Sequence, residues 1–186
     1  MIAPDPQRLA VAVRRAVLTE FAPDSCIAST LAVIETARYF GVKARPQATT
    51  IRVYSAIAWD QREALADVPP ADWPPGAYSV GIDGGAHKPG RWNGHLIAVT
   101  ATVAIDASLD QFARPRRGLV VVPTAFPLPD GGWVNGDPLG YECESLSAVV
   151  IYERLADADW RRSPNWRASL PAMRRVVGLA IRELRE

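Results

Sequence analysis

After Asp5-Pro6, apolar residues recur at helical spacing as Leu9, Val13, Ala16 and Val17, with Arg14, Arg15 and Glu20 on other faces. Asp5 can cap a helix and Pro6 fits its first position, so the pattern predicts a helix from residue 6 to about 21, ended by Pro23. A second helix is predicted from Asp24-Ser25-Cys26 to Phe40, with Gly41 as terminator. Its residues are apolar around most of the circumference, which predicts a central, buried helix. Between Ala44 and Trp59 the period changes to alternation with β-branched residues (Thr50, Ile51, Val53), the signature of a strand.

Pro69, Pro70, Pro74 and Pro75 make residues 60–77 a loop, with at most one short helix at 61–66. A short strand is expected at Tyr78–Ile82 and a glycine-rich loop at Asp83–Asn93. Two strands follow almost back to back, Gly94–Val99 and Thr102–Ala107. Further strands are predicted at Gly118–Val122 and Ser145–Glu153, with 123–138 as loop. From about Ser169 the chain ends in an amphipathic helix with Leu170, Met173, Val177, Ile181 and Leu184 on one face; its arginines read as a solvated face. Helices, then antiparallel strands, then a helix define an α+β class, read as one domain over 1–186.

Composition narrows the function. Lys plus Arg number 21 against 20 Asp plus Glu, which speaks against a broad phosphate-binding surface and hence against a nucleic-acid partner. No run approaches the roughly 20 apolar residues of a membrane span, and the first residues lack the pattern of a secretory signal. A cytoplasmic protein with no membrane partner is the expectation. Its two cysteines, Cys26 and Cys143, are expected as free thiols. Two histidines, His87 and His95, are too few and poorly spaced for a zinc site, and no metal or cofactor is expected.

The chemistry converges on three residues. A helix N-terminus favours negative charge, so Cys26 stands where a thiolate is stabilised. The N–H groups there could also hold an oxyanion. Alone, Cys26 reads as a small buried apolar residue, and His95, opening the run His-Leu-Ile-Ala-Val, reads as a core histidine. Asp106 changes that balance. A turn centred between Thr100 and Ala101 would set Asp106 directly opposite His95, with side chains on one face. The carboxylate could then orient the imidazole and leave its other nitrogen for the thiol. Cys143 lies between Glu142 and Glu144, which disfavour a thiolate, and is a poor nucleophile.

Cysteine at the start of a central helix, histidine on a later strand and aspartate on the next resembles papain-like and, more closely, transglutaminase-like cysteine enzymes. Cys26-Ile-Ala-Ser-Thr-Leu-Ala, Gly41-Val-Lys-Ala-Arg-Pro46 and Ile105-Asp106-Ala107-Ser108 carry the likeness, over about residues 24–110. The chain departs from those families in having no aromatic residue after Cys26 and Leu-Ile after His95. A rival aspartate, Asp137, sits in Gly132-Trp-Val-Asn-Gly-Asp-Pro138, which also looks like the families' Trp…Asp-Pro ending. The resemblance implies a Cys26-His95-Asp106 triad in a hydrolase (thiol protease or amidase) or an acyltransferase. The substrate would be a peptide, protein or small acyl compound, attacked at an amide, isopeptide or ester carbonyl.

The glycine-rich loop follows no P-loop pattern and reads as a mobile loop beside the site, with Trp92 and Asn93 as wall or oxyanion contributors. Gln111 is either close to the site or an ordinary polar loop residue. The alternative function is a catalytically silent member of the same fold that binds peptide or protein around Trp73, Trp92 and Trp133.

Overall fold

The computed structural model describes residues 2–84, 92–143, 148–156 and 159–186, with backbone alone for Glu142, Cys143 and Ala168. His87, most of the glycine-rich loop and the Cys143 side chain therefore lie outside the described residues. The class is α+β, built from an antiparallel sheet and five α-helices.

Helix α1 (Pro6–Val17) starts where expected, with the Asp5 carboxylate accepting from the Arg8 N–H. It stops four residues earlier than the sequence suggested, before a turn that brings Phe21 N–H back to the Val17 carbonyl. Helix α2 (Cys26–Tyr39) is the central helix. It packs against α1, the sheet and the C-terminal helix, which is why it is apolar on nearly every side. Gly41 ends it with a φ of 79°, a left-handed conformation that suits glycine.

Strand β1 (Arg45–Ser55) is the spine of the sheet. One of its edges pairs with β7 (Ala148–Arg154) over residues 49–55. The other pairs first with β3 (His95–Val99) and then, further along, with β2 (Ser79–Ile82). Strands β4 (Val103–Asp106) and β5 (Thr124–Pro127) extend the sheet beyond β3, and β6 (Pro138–Cys143) extends it beyond β7. The outermost strands curl toward each other: Phe126 of β5 stacks on Tyr141 of β6 with ring centres 5.2 Å apart. The sheet is thus nearly closed, barrel-like, and filled by Ile51, Ile97, Val99, Phe126, Val150 and Tyr152. Alternate residues of the same strands, Ala48, Leu96, Ala98 and Ile105, face α1, α2 and the last helix in a second core.

Several expectations need correction. Residues 118–122 form no strand; only a bridge between Arg114 and Leu119 is present, although Leu119 and Val121 are buried and Val120 and Val122 exposed. The alternation is real, but Thr124–Pro127 takes the ladder beside β4 instead. Strand β5 lies in what the Pro and Gly content marked as loop, and β6 starts at the last residue of that loop and runs on through residues assigned to no element; Pro127 and Pro138 sit at their ends, where a missing N–H is tolerated. The strand predicted over 44–59 ends at Ser55, whose hydroxyl caps the short helix α3 (Ala56–Asp60). Before the C-terminal helix α5 (Met173–Arg185) a separate turn of helix, α4 (Pro164–Ser169), is capped by Ser163. The buried line of α5 runs through Met173, Val176 and Ala180, not through Leu170 and Ile181; the small Ala180 faces the neighbouring helices.

Candidate active site

Thr30 fixes where α2 sits on the sheet. Its hydroxyl donates to the Leu96 carbonyl at 2.7 Å, buried between α2 and β3. Cys26 lies four residues earlier on the same helix face, one turn nearer the N-terminus. That turn reaches past the start of β3, where the residue before Leu96 is His95. Cys26 is a free, half-buried thiol, near enough to the imidazole to contribute to its raised pKa.

The hairpin carrying His95 and Asp106 differs from the expected register. Ala98 pairs with Ile105 and Val99 with Ala104, so the two-residue loop is Ala101-Thr102. Thr100 closes it: its N–H donates to the Val103 carbonyl and its hydroxyl oxygen accepts from the Val103 N–H. Shifting the loop centre by one residue moves every partner by two. Faces are therefore conserved, but the direct pair becomes a diagonal one. Asp106 still reaches His95, with Oδ2 2.7 Å from Nε2.

Both groups are fully buried, at 0 % and 1 % exposure. Asp106 accepts from four donors: the His95 ring and the Tyr152 hydroxyl (2.9 Å) on Oδ2, and the Ser108 N–H (2.9 Å) and hydroxyl (3.1 Å) on Oδ1. Burial alone would raise its pKa, but the charge and hydrogen bond of His95, with Ser108 and Tyr152, hold the carboxyl below its ordinary value. Burial works on His95 in the opposite direction, downward; it is outweighed by the Asp106 charge and hydrogen bond, with a contribution from Cys26, and the imidazole is raised to about 10. Tyr152 is pushed up by burial and by the carboxylate, so it stays a hydrogen-bond donor. The ionised Asp106 accepts only, which assigns a proton to Nε2 of His95.

The other ring nitrogen, Nδ1, faces the Gln111 amide, 3.1 Å from its Nε2. Gln111 comes from the 3-10 turn Leu109–Phe112 that follows Asp106. Phe112 on that turn packs edge-on against the His95 ring at 5.3 Å, and Tyr152 lies along its face. A cleft of about 530 Å³ opens over these groups, lined by Cys26, Gly94, Gln111, Phe21, Trp92 and Asn165 among others. Ser25, the residue before the helix, makes no side-chain cap on α2, in contrast to the caps on α1, α3 and α4.

Cys26, His95 and Asp106 are thus brought together at one end of the sheet. Asp137 is not part of this cluster: it is exposed, and its carbonyl accepts from the Trp133 indole. The three tryptophans do not share a surface. Trp133 is buried, the Trp73 indole donates to the Val68 carbonyl, and Trp92 lines the cleft. Tyr152 had no signal in the sequence, because it arrives from a strand 46 residues beyond Asp106. Of its two readings, Gln111 takes the one close to the site.

Among the described residues no group of His, Cys, Asp and Glu side chains could hold a metal, and no helix is long and apolar enough to cross a membrane. No protein-family model, curated protein or solved structure matches the chain.

Proposed function

We propose that the protein is a thiol-dependent acyl-transfer enzyme of papain-like or transglutaminase-like type. The observation that carries this is His95, bonded through Nε2 to a buried, four-donor carboxylate and interacting as well with a cysteine at a helix start. His95, raised to about 10, holds the proton of the pair at neutral pH, and the Cys26 sulfur attacks an amide, isopeptide or ester carbonyl as a thiolate beside that imidazolium. The oxyanion forms beside the first N–H groups of α2, which Ser25 leaves uncapped. Collapse breaks the bond to the leaving group, which takes the proton from His95, and leaves a thioester on Cys26. An acceptor, deprotonated by His95, then attacks the thioester and releases the acyl product and the thiol. Water as acceptor makes the enzyme a hydrolase, and an amine makes it a transferase. Asp106 keeps the ring in one tautomer and stabilises the imidazolium. A peptide, protein side chain or small acyl compound fits a cleft of this size.

The test is selective alkylation at pH 7 with iodoacetamide, followed by mass spectrometry of the Cys26 peptide. Cys26 in the folded protein should react at least about tenfold faster than the same residue in urea. A rate equal to or below that of the unfolded chain overturns the assignment and leaves a silent, binding version of the fold.

A further inference from the structure

Arg14 is the largest surprise among the charged residues. It lies on α1, away from the cleft lining, yet it is only 3 % exposed. Its side chain reaches two separate segments. Nε lies 2.7 Å from Oδ1 of Asp110 and donates to Oδ2 at 3.0 Å. Nη2 donates to the Pro23 carbonyl at 2.8 Å, and Nη1 stands 3.5 Å from the Ser25 hydroxyl. Asp110 precedes Gln111, whose amide faces His95; Ser25 precedes Cys26.

Arg14 is buried while the Asp110 side chain is 28 % exposed; an ion pair that buries a guanidinium is weak as a source of stability, because desolvation offsets the attraction, and fixing one geometry is the best-attested use of such pairs. The planar guanidinium suits that task, since it can hold several acceptors in fixed directions, as a lysine ammonium cannot. Here the acceptors belong to the two walls that must stand at a set distance, one carrying the sulfur and one carrying the amide beside the imidazole.

We propose that Arg14 is a positioning residue, which clamps the 23–25 segment and the 109–112 turn together and so sets Cys26 against His95. This rests on Cys26 being the nucleophile. By drawing the Ser25 hydroxyl toward α1, Arg14 also accounts for the uncapped start of α2.

The experiment is alkylation of Cys26 by iodoacetamide in the full chain, with His95 titrated by NMR in the same samples. Arg14→Lys keeps the charge and loses the fork; Asp110→Asn keeps the shape and loses the partner charge, and serves if Arg14→Lys fails to fold. Either substitution should slow Cys26 alkylation about tenfold, because a misplacement of about 1 Å is enough for effects of that size. The His95 titration should stay well above its ordinary 6.5, losing only the smaller share that Cys26 supplies, since its bonds to Asp106 are not touched. An unchanged alkylation rate overturns the clamp. So does a slowed rate accompanied by a His95 titration at or below 6.5, which is general loosening that reaches the Asp106 pair. If Cys26 of the unaltered protein reacts no faster than in urea, the nucleophile assignment falls first and the clamp falls with it.

Discussion

Asp106 meets His95 along a diagonal of the β3–β4 hairpin, Oδ2 to Nε2 at 2.7 Å, with both side chains sealed from solvent. Burial and pairing pull each pKa in opposite directions, and for both groups pairing prevails. Replacing Asp106 by Asn should therefore drop the His95 titration from about 10 to below its ordinary 6.5, because burial, the largest influence, is then opposed only by Cys26. Cys26 alkylation should slow by about a hundredfold or more. Asp137→Asn should leave both within about twofold; a shift with Asp137→Asn and none with Asp106→Asn would reassign the third residue.

The same pair gives stability a defined pH dependence. His95 is raised from 6.5 to about 10, so its contribution is complete below 6.5 and is lost as the pH climbs to about 10. Asp106 is lowered from 3.8, so its contribution is present above 3.8 and is lost as the pH falls through its folded value. Urea denaturation of the parent and of His95→Gln should show an excess stability that is flat between these limits and shrinks on either side. A parent advantage that grows from pH 7 to 9 would contradict the sign.

Tyr152→Phe removes one of the four donors to Asp106 and leaves a ring of the same shape in the core. It should cost about 1.5 kcal/mol, typical of a hydrogen bond to a charged group. His95 and Ser108 still hold the carboxylate, so Cys26 reactivity should change by less than about tenfold. A loss as large as that of Asp106→Asn would make Tyr152 a full partner of the site.

Phe126 is 3 % exposed and stacks on both Tyr141 and Tyr152, joining the two outermost strands. Phe126→Ala should lower the unfolding free energy by about 3–5 kcal/mol, seen as a fall in the urea midpoint. A change under about 1 kcal/mol would mean that the sheet stays curled without it.

Local chemistry was legible in the sequence wherever the partner is near in the chain. The Asp5 cap, the start of α2 at Cys26 and the end at Gly41 all depend on neighbours within a few residues. The shared face of His95 and Asp106 was also legible, because a slip of two leaves the pleat unchanged; the register was not, because Thr100 moves the loop centre through its hydroxyl. Arg14 carried an overlooked signal: it lies on the side of α1 marked by Ala10 and Val17, which are both 0 % exposed. Strands β5 and β6 were missed for a different reason. Their pairing is decided by β4 and β7; β5 lies in a Pro- and Gly-rich stretch that reads as loop, and β6 carries no strand pattern of its own.

The position of β1 has a consequence for a chain emerging from the ribosome. Thr49 waits for His95 on one edge and for Arg154 on the other, and Ile51 is the neighbour of Tyr152. Cys26, His95 and Asp106 are therefore all synthesised before the strand that supplies the Tyr152 donor and before the α5 helix that covers α2. An incomplete chain carries the sulfur without the Tyr152 donor that helps to hold Asp106, the carboxylate that raises and orients the imidazole. Under the proposed function, arming of the thiol therefore waits for the strand and helix that are made last.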